Sequence, residues 1–373
     1  MRLSVIRAYM RKEFTELFRT KLIVMVYLLP FMIMLLFGYG IRLEVTHART
    51  LIIDNDQSHL SRMLTAKFEH SKYFNAKETQ MSEAEALHRI KQAKEDAVVI
   101  IPASFEKRIL HGLKSEIGIF VDGAFPNRAM TIESYIEGVV LNAAQEAGAL
   151  KKGATGGLIV INNRNLFNQA MRDADAIVPG LIGLVLLVAP AILAALLIVK
   201  EKERGTIFNF YASSLGRGEF LAAKLIPAFL LHSLNIFILF LMATELFGVP
   251  FRGSFALFWV AAEIYILISL SIGMLISVIT SRQIVAVVLT VIITIIPGFL
   301  YSGILMPISS MVGESYVEAH LFPVMYFNHI VYDCFLGGMG LSSAKTAAYL
   351  GILVVYALIL LGLGTLFLKK ELK

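Results

Sequence analysis

Residues 177–199 read IVPGLIGLVLLVAPAILAALLIV, 23 positions without a charge, and residues 200–206 continue KEKERGT. A helix rising about 1.5 Å per residue needs about 20 apolar residues to cross the roughly 30 Å hydrocarbon core of a bilayer, and a buried helix of a water-soluble domain seldom runs so long without charge. The stretch therefore reads as a membrane span that stops at a charged edge. Five others share its character, at residues 22–41, 225–247, 255–279, 284–305 and 346–368. The layout is one span, a long polar insert, then five spans. A chain that is 57% hydrophobic and 17% charged, with mean hydropathy +0.71, agrees with that layout.

Orientation follows from where short connections keep their cations, because Lys and Arg near span ends stay on the cytoplasmic side. Fifteen lie on one side, among them Arg7, Arg11 and Lys12 before the first span, Lys200, Lys202, Arg204, Arg217 and Lys224 after the second, then Arg282 and the tail. The opposite short loops carry only Arg252 and Lys345. Both termini are thus expected in the cytoplasm, and the insert outside. That insert holds 17 basic and 17 acidic residues, so the net charge of +6 belongs to the membrane part. The excess is a topology signal, not a nucleic-acid patch.

The expected fold is an α-helical integral membrane protein of six transmembrane helices, with an α/β extracytoplasmic domain inserted after helix 1. In residues, this gives a cytoplasmic amphipathic helix over 1–20, helix 1 over 21–41, the outer domain over 42–176, and helix 2 over 177–199. A cytoplasmic segment follows over 200–224, helices 3–5 over 225–305, an outer loop with short re-entrant helices over 306–345, helix 6 over 346–368, and a tail over 369–373. The first span is read as an uncleaved anchor, since it is too long for a secretory h-region and ends at Gly38-Tyr39-Gly40 without a cleavage pattern. In the insert, strands are expected over 50–54, 97–101, 117–122 and 158–161, with helices over 58–69, 81–93, 104–113 and 127–150. Strands alternating with helices argue for a layered α/β domain.

Residues 3–18 place Leu3, Ile6, Met10, Phe14 and Leu17 at helical spacing, with Arg7, Arg11, Lys12, Thr15, Glu16 and Arg19 on other faces. This reads as an amphipathic helix along the inner membrane surface, or as a basic flank that only fixes topology. After the charge run 200–204 the chain turns at Gly205 and enters an aromatic stretch, Ile207-Phe208-Asn209-Phe210-Tyr211, followed by Glu219 and Lys224. Aromatics at that place call for a cover.

That ordered set resembles the permease subunits of type-2 ABC exporters, in the multidrug-efflux-like subgroup with a large external domain after span one. The likeness rests on Glu203-Arg204-Gly205-Thr206 after the second of six spans, Glu219 and Lys224 before the third, Ile53-Asp54-Asn55-Asp56-Gln57-Ser58 after the first, Val121-Asp122-Gly123, and Pro179-Gly180 opening the second span. The chain departs from the family at Ser213-Ser214-Leu215-Gly216, where a Pro is common. The resemblance implies that Glu203, Arg204, Gly205, Thr206 and Glu219 sit at a joint receiving motion from a separate ATPase. It further implies that Phe208, Phe210 and Tyr211 form the contact surface, and that a second copy or a paralogous permease completes the assembly. A periplasmic adaptor and an outer-membrane channel are further partners, the setting is a bacterial inner membrane, and the cargo class is drugs or other amphipathic compounds, with lipid or polysaccharide as the alternative.

The chain has no fuel-burning machinery of its own, for no G-x-x-x-x-G-K-[ST] occurs, so ATP and Mg belong on the partner. Eight scattered histidines and a lone cysteine offer no metal spacing and no catalytic constellation. Asp54 and Asp56 read as turn and cap residues. Within the spans, Glu263 falls about 12 Å below the outer edge, and His232 and Asn235 about 10 and 15 Å above the inner edge, so the three are expected to meet near the midplane. An intramembrane carboxylate marks a translocation pathway or an interhelical hydrogen bond. Pro297 and Pro190 are expected to interrupt their spans as kinks or gates. Two rivals remain: a membrane-anchored sensor or assembly protein whose outer domain binds a ligand, and an ion-coupled transporter, which predicts internal repeats.

Overall fold

The computed structural model describes residues 3–20, 22–41, 45–111, 113, 115–123, 126–150, 172–213, 215–304, 308 and 311–368. In chain order the elements are α1 (Leu3–Arg19), α2 (Leu22–Gly40), β1 (Ala48–Asp54), α3 (His59–Glu69), β2 (Phe74–Glu78), α4 (Glu83–Lys91), β3 (Ala97–Ile101), α5 (Phe105–Leu110), β4 (Gly118–Val121) and α6 (Pro126–Leu150). They continue with α7 (Asp173–Glu203), α8 (Ile207–Ala212), α9 (Arg217–Leu241), α10 (Phe255–Ile279), α11 (Gln283–Leu300), α12 (Glu314–Leu321), α13 (Pro323–Tyr332) and α14 (Ala344–Phe367). They fall into two units, residues 42–164 and the rest.

Unit 42–164 is a four-stranded sheet in the order β2-β1-β3-β4, with β1 parallel to both neighbours and β4 antiparallel to β3. The period of two along the strands supplies two cores. Ile52, Val99 and Ile101 face α3 and α6, and Leu51, Ile53 and Val98 face α4. Sequence reading missed β2, an edge strand whose Phe74-Asn75-Ala76-Lys77-Glu78 buries only Phe74 fully and so shows no alternation. The α5 helix ends at Leu110, earlier than expected, and the expected strand over 158–161 lies outside the described residues. Asp54 behaves as a turn residue: Oδ1 accepts from the N–H groups of Asp56 and Gln57 at 2.9 and 3.0 Å, and Oδ2 from Ser61 Oγ at 2.7 Å. At the other end of β1, Asp96 takes Arg49 at 3.0 Å and Arg128 at 3.2 Å. Burial would raise its pKa, but the Arg49 hydrogen bonds and the Arg128 charge outweigh it and hold the carboxyl below the ordinary range.

Among the described residues the other unit holds six helices long and apolar enough to cross a membrane: α2, α7, α9 with its π-helical extension to Leu246, α10, α11 and α14. The α7 helix is the axis, with every residue from Ile177 to Glu201 buried. Lipid offers no hydrophobic gain for bringing helices together, so association relies on close packing and on hydrogen bonds. Here a Cβ on Gly273 of α10 would overlap Ala191 O of α7, and one on Gly183 would overlap Asn328 Oδ1 of α13. Ser269 Oγ donates to Leu187 O at 2.5 Å across the first of these crossings. Pro190 and Pro297 lie inside α7 and α11, each of which continues as one helix through its proline. The loop 306–345 contains α12 and α13, and α13 is buried against α7, α10 and α14.

Candidate functional site at the charged end of the central helix

Successive residues on a helix step by about 100°, so four in a row sweep nearly a full turn. At the end of α7 each of four consecutive charges reaches a different element. Lys200 Nζ meets Glu16 of α1 at 2.5 Å. Glu201 Oε1 accepts from Lys224 Nζ of α9 at 2.6 Å. Lys202 Nζ donates to the terminal carbonyls of α10, those of Ser277, Val278 (3.1 Å) and Thr280 (3.3 Å). Glu203 Oε2 accepts from the Gln283 backbone N–H at 3.1 Å and from its side chain at 2.7 Å, at the start of α11. The buried end of the axis thereby holds four neighbours through one turn.

Lys224 is shared. It also donates to Glu13 Oε1 of α1 at 2.7 Å, and both partners are almost fully buried. The cavity beside them is about 10 Å³, room for at most one water. Burial raises the Glu13 pKa against the opposing pull of Lys224, whereas the hydrogen bond from Lys200 lowers that of Glu16 despite partial burial. Such a cluster constrains geometry strongly, because removing one partner strands a charge in a dry site.

Beyond Glu203 the helix terminates as its residues demand. Arg204 and Gly205 N–H groups close back on the carbonyls of Lys200 and Lys202 at 3.1 and 3.2 Å, and Gly205 takes φ +74°, a left-handed conformation that other L residues adopt at a cost. Thr206 Oγ1 donates to Glu201 O at 3.4 Å. The turn delivers α8, whose Ile207 and Phe210 point inward; Phe210 stacks on Phe220 at 4.1 Å. Phe210 therefore leaves the expected contact surface, because helical spacing puts it on the opposite face from Phe208. Phe208 stays 52% exposed with Tyr211 edge-on at 5.9 Å, beside exposed Glu203, Arg204 and Thr206. Glu219 accepts from the Gly216 N–H at 3.1 Å and caps α9.

Sequence reading assigned Glu203, Arg204, Gly205, Thr206, Phe208, Tyr211 and Glu219 to this region, and the structure brings them to one end of the bundle. It missed Glu13, Glu16, Lys200, Lys202, Lys224 and Gln283 as partners. The available signal was Lys224 itself, a charge set inside the apolar run from Phe220 to Leu225. The amphipathic reading of α1 is also incomplete: Leu17 is buried in the bundle and Glu13 is clasped, so α1 packs on α9 as well.

Of the three polar span residues, Asn235 and His232 meet and Glu263 stands apart. Asn235 Nδ2 donates to Val26 O at 2.9 Å and lies 3.0 Å from His232 Nδ1, on the seam between α9 and α2. Glu263 accepts from Ser233 Oγ at 2.8 Å, on the seam between α9 and α10. His232 and Ser233 are adjacent and so face different neighbours. Pro297 is buried within α11, where Gly298 lies against Leu184.

Five helices long and apolar enough to cross a membrane gathered round a sixth, buried one, with a clasp of ion pairs at one end and an α/β unit inserted after the first, mark a polytopic membrane protein. The chain belongs to the ABC-2 family of transporter proteins, whose match covers residues 20–366. It is similar to the "Probable multidrug ABC transporter permease YbhS" of Escherichia coli (strain K12), with 28% identity over 348 residues, covering 92% of this chain and 90% of that protein. It is likewise similar to the "Probable multidrug ABC transporter permease YbhR" of the same organism, at 27% over 327 residues covering 87% and 88%. "Inner membrane transport permease YhhJ" from that strain is 24% identical over 265 residues, 70% of this chain and 69% of its own.

Proposed function

We propose that this chain is the membrane-spanning subunit of an ATP-driven exporter that moves amphipathic, drug-like molecules outward. ATP and Mg bind a separate ATPase chain, and a second copy or paralogue of this permease completes the pathway. The carrying observation is the single turn of α7 in which Lys200, Glu201, Lys202 and Glu203 grip α1, α9, α10 and α11. A push on α8, joined to that turn through Gly205, reaches α7 and its four neighbours at once through short contacts, of which those of Lys224 with Glu13 and Glu201 are buried. Rigid elements with discrete contacts are what an external motor requires. The names of YbhS and YbhR supply the multidrug class. The excess of cations on one side supports a reading with α1, α8 and both termini in the cytoplasm and the α/β unit outside, in a bacterial inner membrane, where a periplasmic adaptor leading to an outer-membrane channel would dock.

The direct test is purification of the tagged chain from its host in a mild detergent. Recovery of a stoichiometric ATPase is expected; its absence across several detergents and lipids sinks the proposal and favours a sensor or assembly role.

A further inference from the structure

Between α9, α10 and α14 runs an open groove of about 390 Å³, walled by Leu221, Leu225, Phe229, Leu267, Met274 and Leu361. That volume lies within the usual range for small-molecule sites, and the lining is apolar as such sites usually are. The stripe formed on α10 by residues 267, 270 and 274 continues one turn back to Glu263, and the stripe on α9 through 222, 226 and 229 continues one turn on to Ser233. The Ser233–Glu263 hydrogen bond of 2.8 Å therefore stands at the end of the groove, about 6 Å beyond Leu267. The Trp259 indole also donates to this carboxyl. Among the described residues no basic side chain forms an ion pair with Glu263.

We propose that this groove binds a lipophilic monocation, its apolar body between α9, α10 and α14 and its cationic head on Glu263. An acyl chain would fill the walls yet leave a membrane-embedded carboxylate without a counter-charge, and an anion would be repelled by it. A cation satisfies both parts. Phe229 on α9 and Trp259 on α10 stand one turn to either side of the Ser233–Glu263 bond and supply aromatic surface near the head. The inference deepens the export reading and rests on it for the direction of movement, whereas binding needs only this chain.

The test uses the full chain in phosphatidylcholine nanodiscs, without ATPase or nucleotide. A radiolabelled phenylalkyltrimethylammonium is titrated, and its neutral isostere, with tert-butyl in place of trimethylammonium, serves as competitor. The cation should bind saturably, with the isostere at least about tenfold weaker. Glu263→Gln should abolish that preference while Glu263→Asp retains part of it, and Ala222→Phe should weaken both ligands by filling the groove. Equal binding of cation and isostere to the unaltered chain overturns the proposal and marks an acyl-chain site, a result that needs no variant to fold. Unchanged preference in Glu263→Gln overturns it equally. Neither result touches the copurification of an ATPase, and a missing ATPase leaves the binding result standing.

Discussion

The two ends of α7 are held by different chemistry. At one end Lys200 to Glu203 radiate charge-assisted contacts to four elements. At the other, most contacts run to backbone: from the loop helix α13 Asn328 Nδ2 donates to Gly180 O at 3.2 Å and Ser302 O at 2.9 Å and Tyr332 Oη donates to Ala176 O at 2.7 Å, while the Arg172 guanidinium at the N-cap donates to Phe247 O at 2.6 Å and Gly248 O at 3.1 Å. Gly180 and Gly183 allow this approach, since a Cβ at either would strike Tyr332 or Asn328. Neutral clasps on backbone fix one arrangement. Paired charges also fix one, but their partners can exchange, and they respond to screening and protonation. The difference is that of an end held mainly on backbone carbonyls and an end held mainly by paired charges.

The largest effect that sharpens this contrast comes from Lys224→Met, which leaves Glu13 buried without its cation and Glu201 with only Lys12 at 3.9 Å, and should cost about 3–5 kcal/mol. Thermal unfolding in nanodiscs should show it, with recovery when Glu13→Gln and Glu201→Gln are added; a small loss for Lys224→Met alone breaks the picture of a dry clasp. Asn328→Leu comes next. It strands two backbone carbonyls at about 1–3 kcal/mol, with no dependence on salt, and a salt-sensitive loss would erase the distinction between the ends. Gly205→Ala should cost about 1 kcal/mol from the left-handed turn alone and lower ATP-driven export while insertion stays normal; efflux equal to the unaltered chain removes Gly205 from the joint.

The smallest effect is in pH. Glu16 has its pKa lowered in the folded chain, so its contribution is present above the ordinary value of 4.5 and is lost as pH falls through the folded value. Glu13 has the opposite sign: its raised pKa favours the protonated fold, so its contribution declines as pH climbs from 4.5 through the folded value. Glu16→Gln should therefore flatten the acid limb of a stability profile, by about 1 kcal/mol or less, and Glu13→Gln the limb just above it. Identical profiles for the two variants contradict the assignment.

Span positions were legible because length and apolarity alone decide them, and β1, β3 and the Asp54 turn were legible because local chemistry decides them. The edge strand β2 was not, since its pairing with β1 comes from a neighbour in space while its own residues read as polar loop. Glu203 and Gly205 stood out by their place after a span. Glu13 did not, because on an amphipathic helix one more acid resembles a solvated face, and only the approach of Lys224 from a distant span gives it a role. The same holds for His232 and Glu263, whose depths match but whose helix faces diverge.

The central claim is that a motor on another polypeptide presses on α8. With Cys334 buried and its thiol pushed up to about 12 by burial and by Asp333, a cysteine introduced by Phe208→Cys is the reactive one for a short photo-crosslinker, and Met130→Cys on the exposed face of α6 serves as control. In native membranes the account predicts an ATPase crosslinked through position 208 and none through 130. No ATPase at 208, or equal capture at both positions, contradicts it.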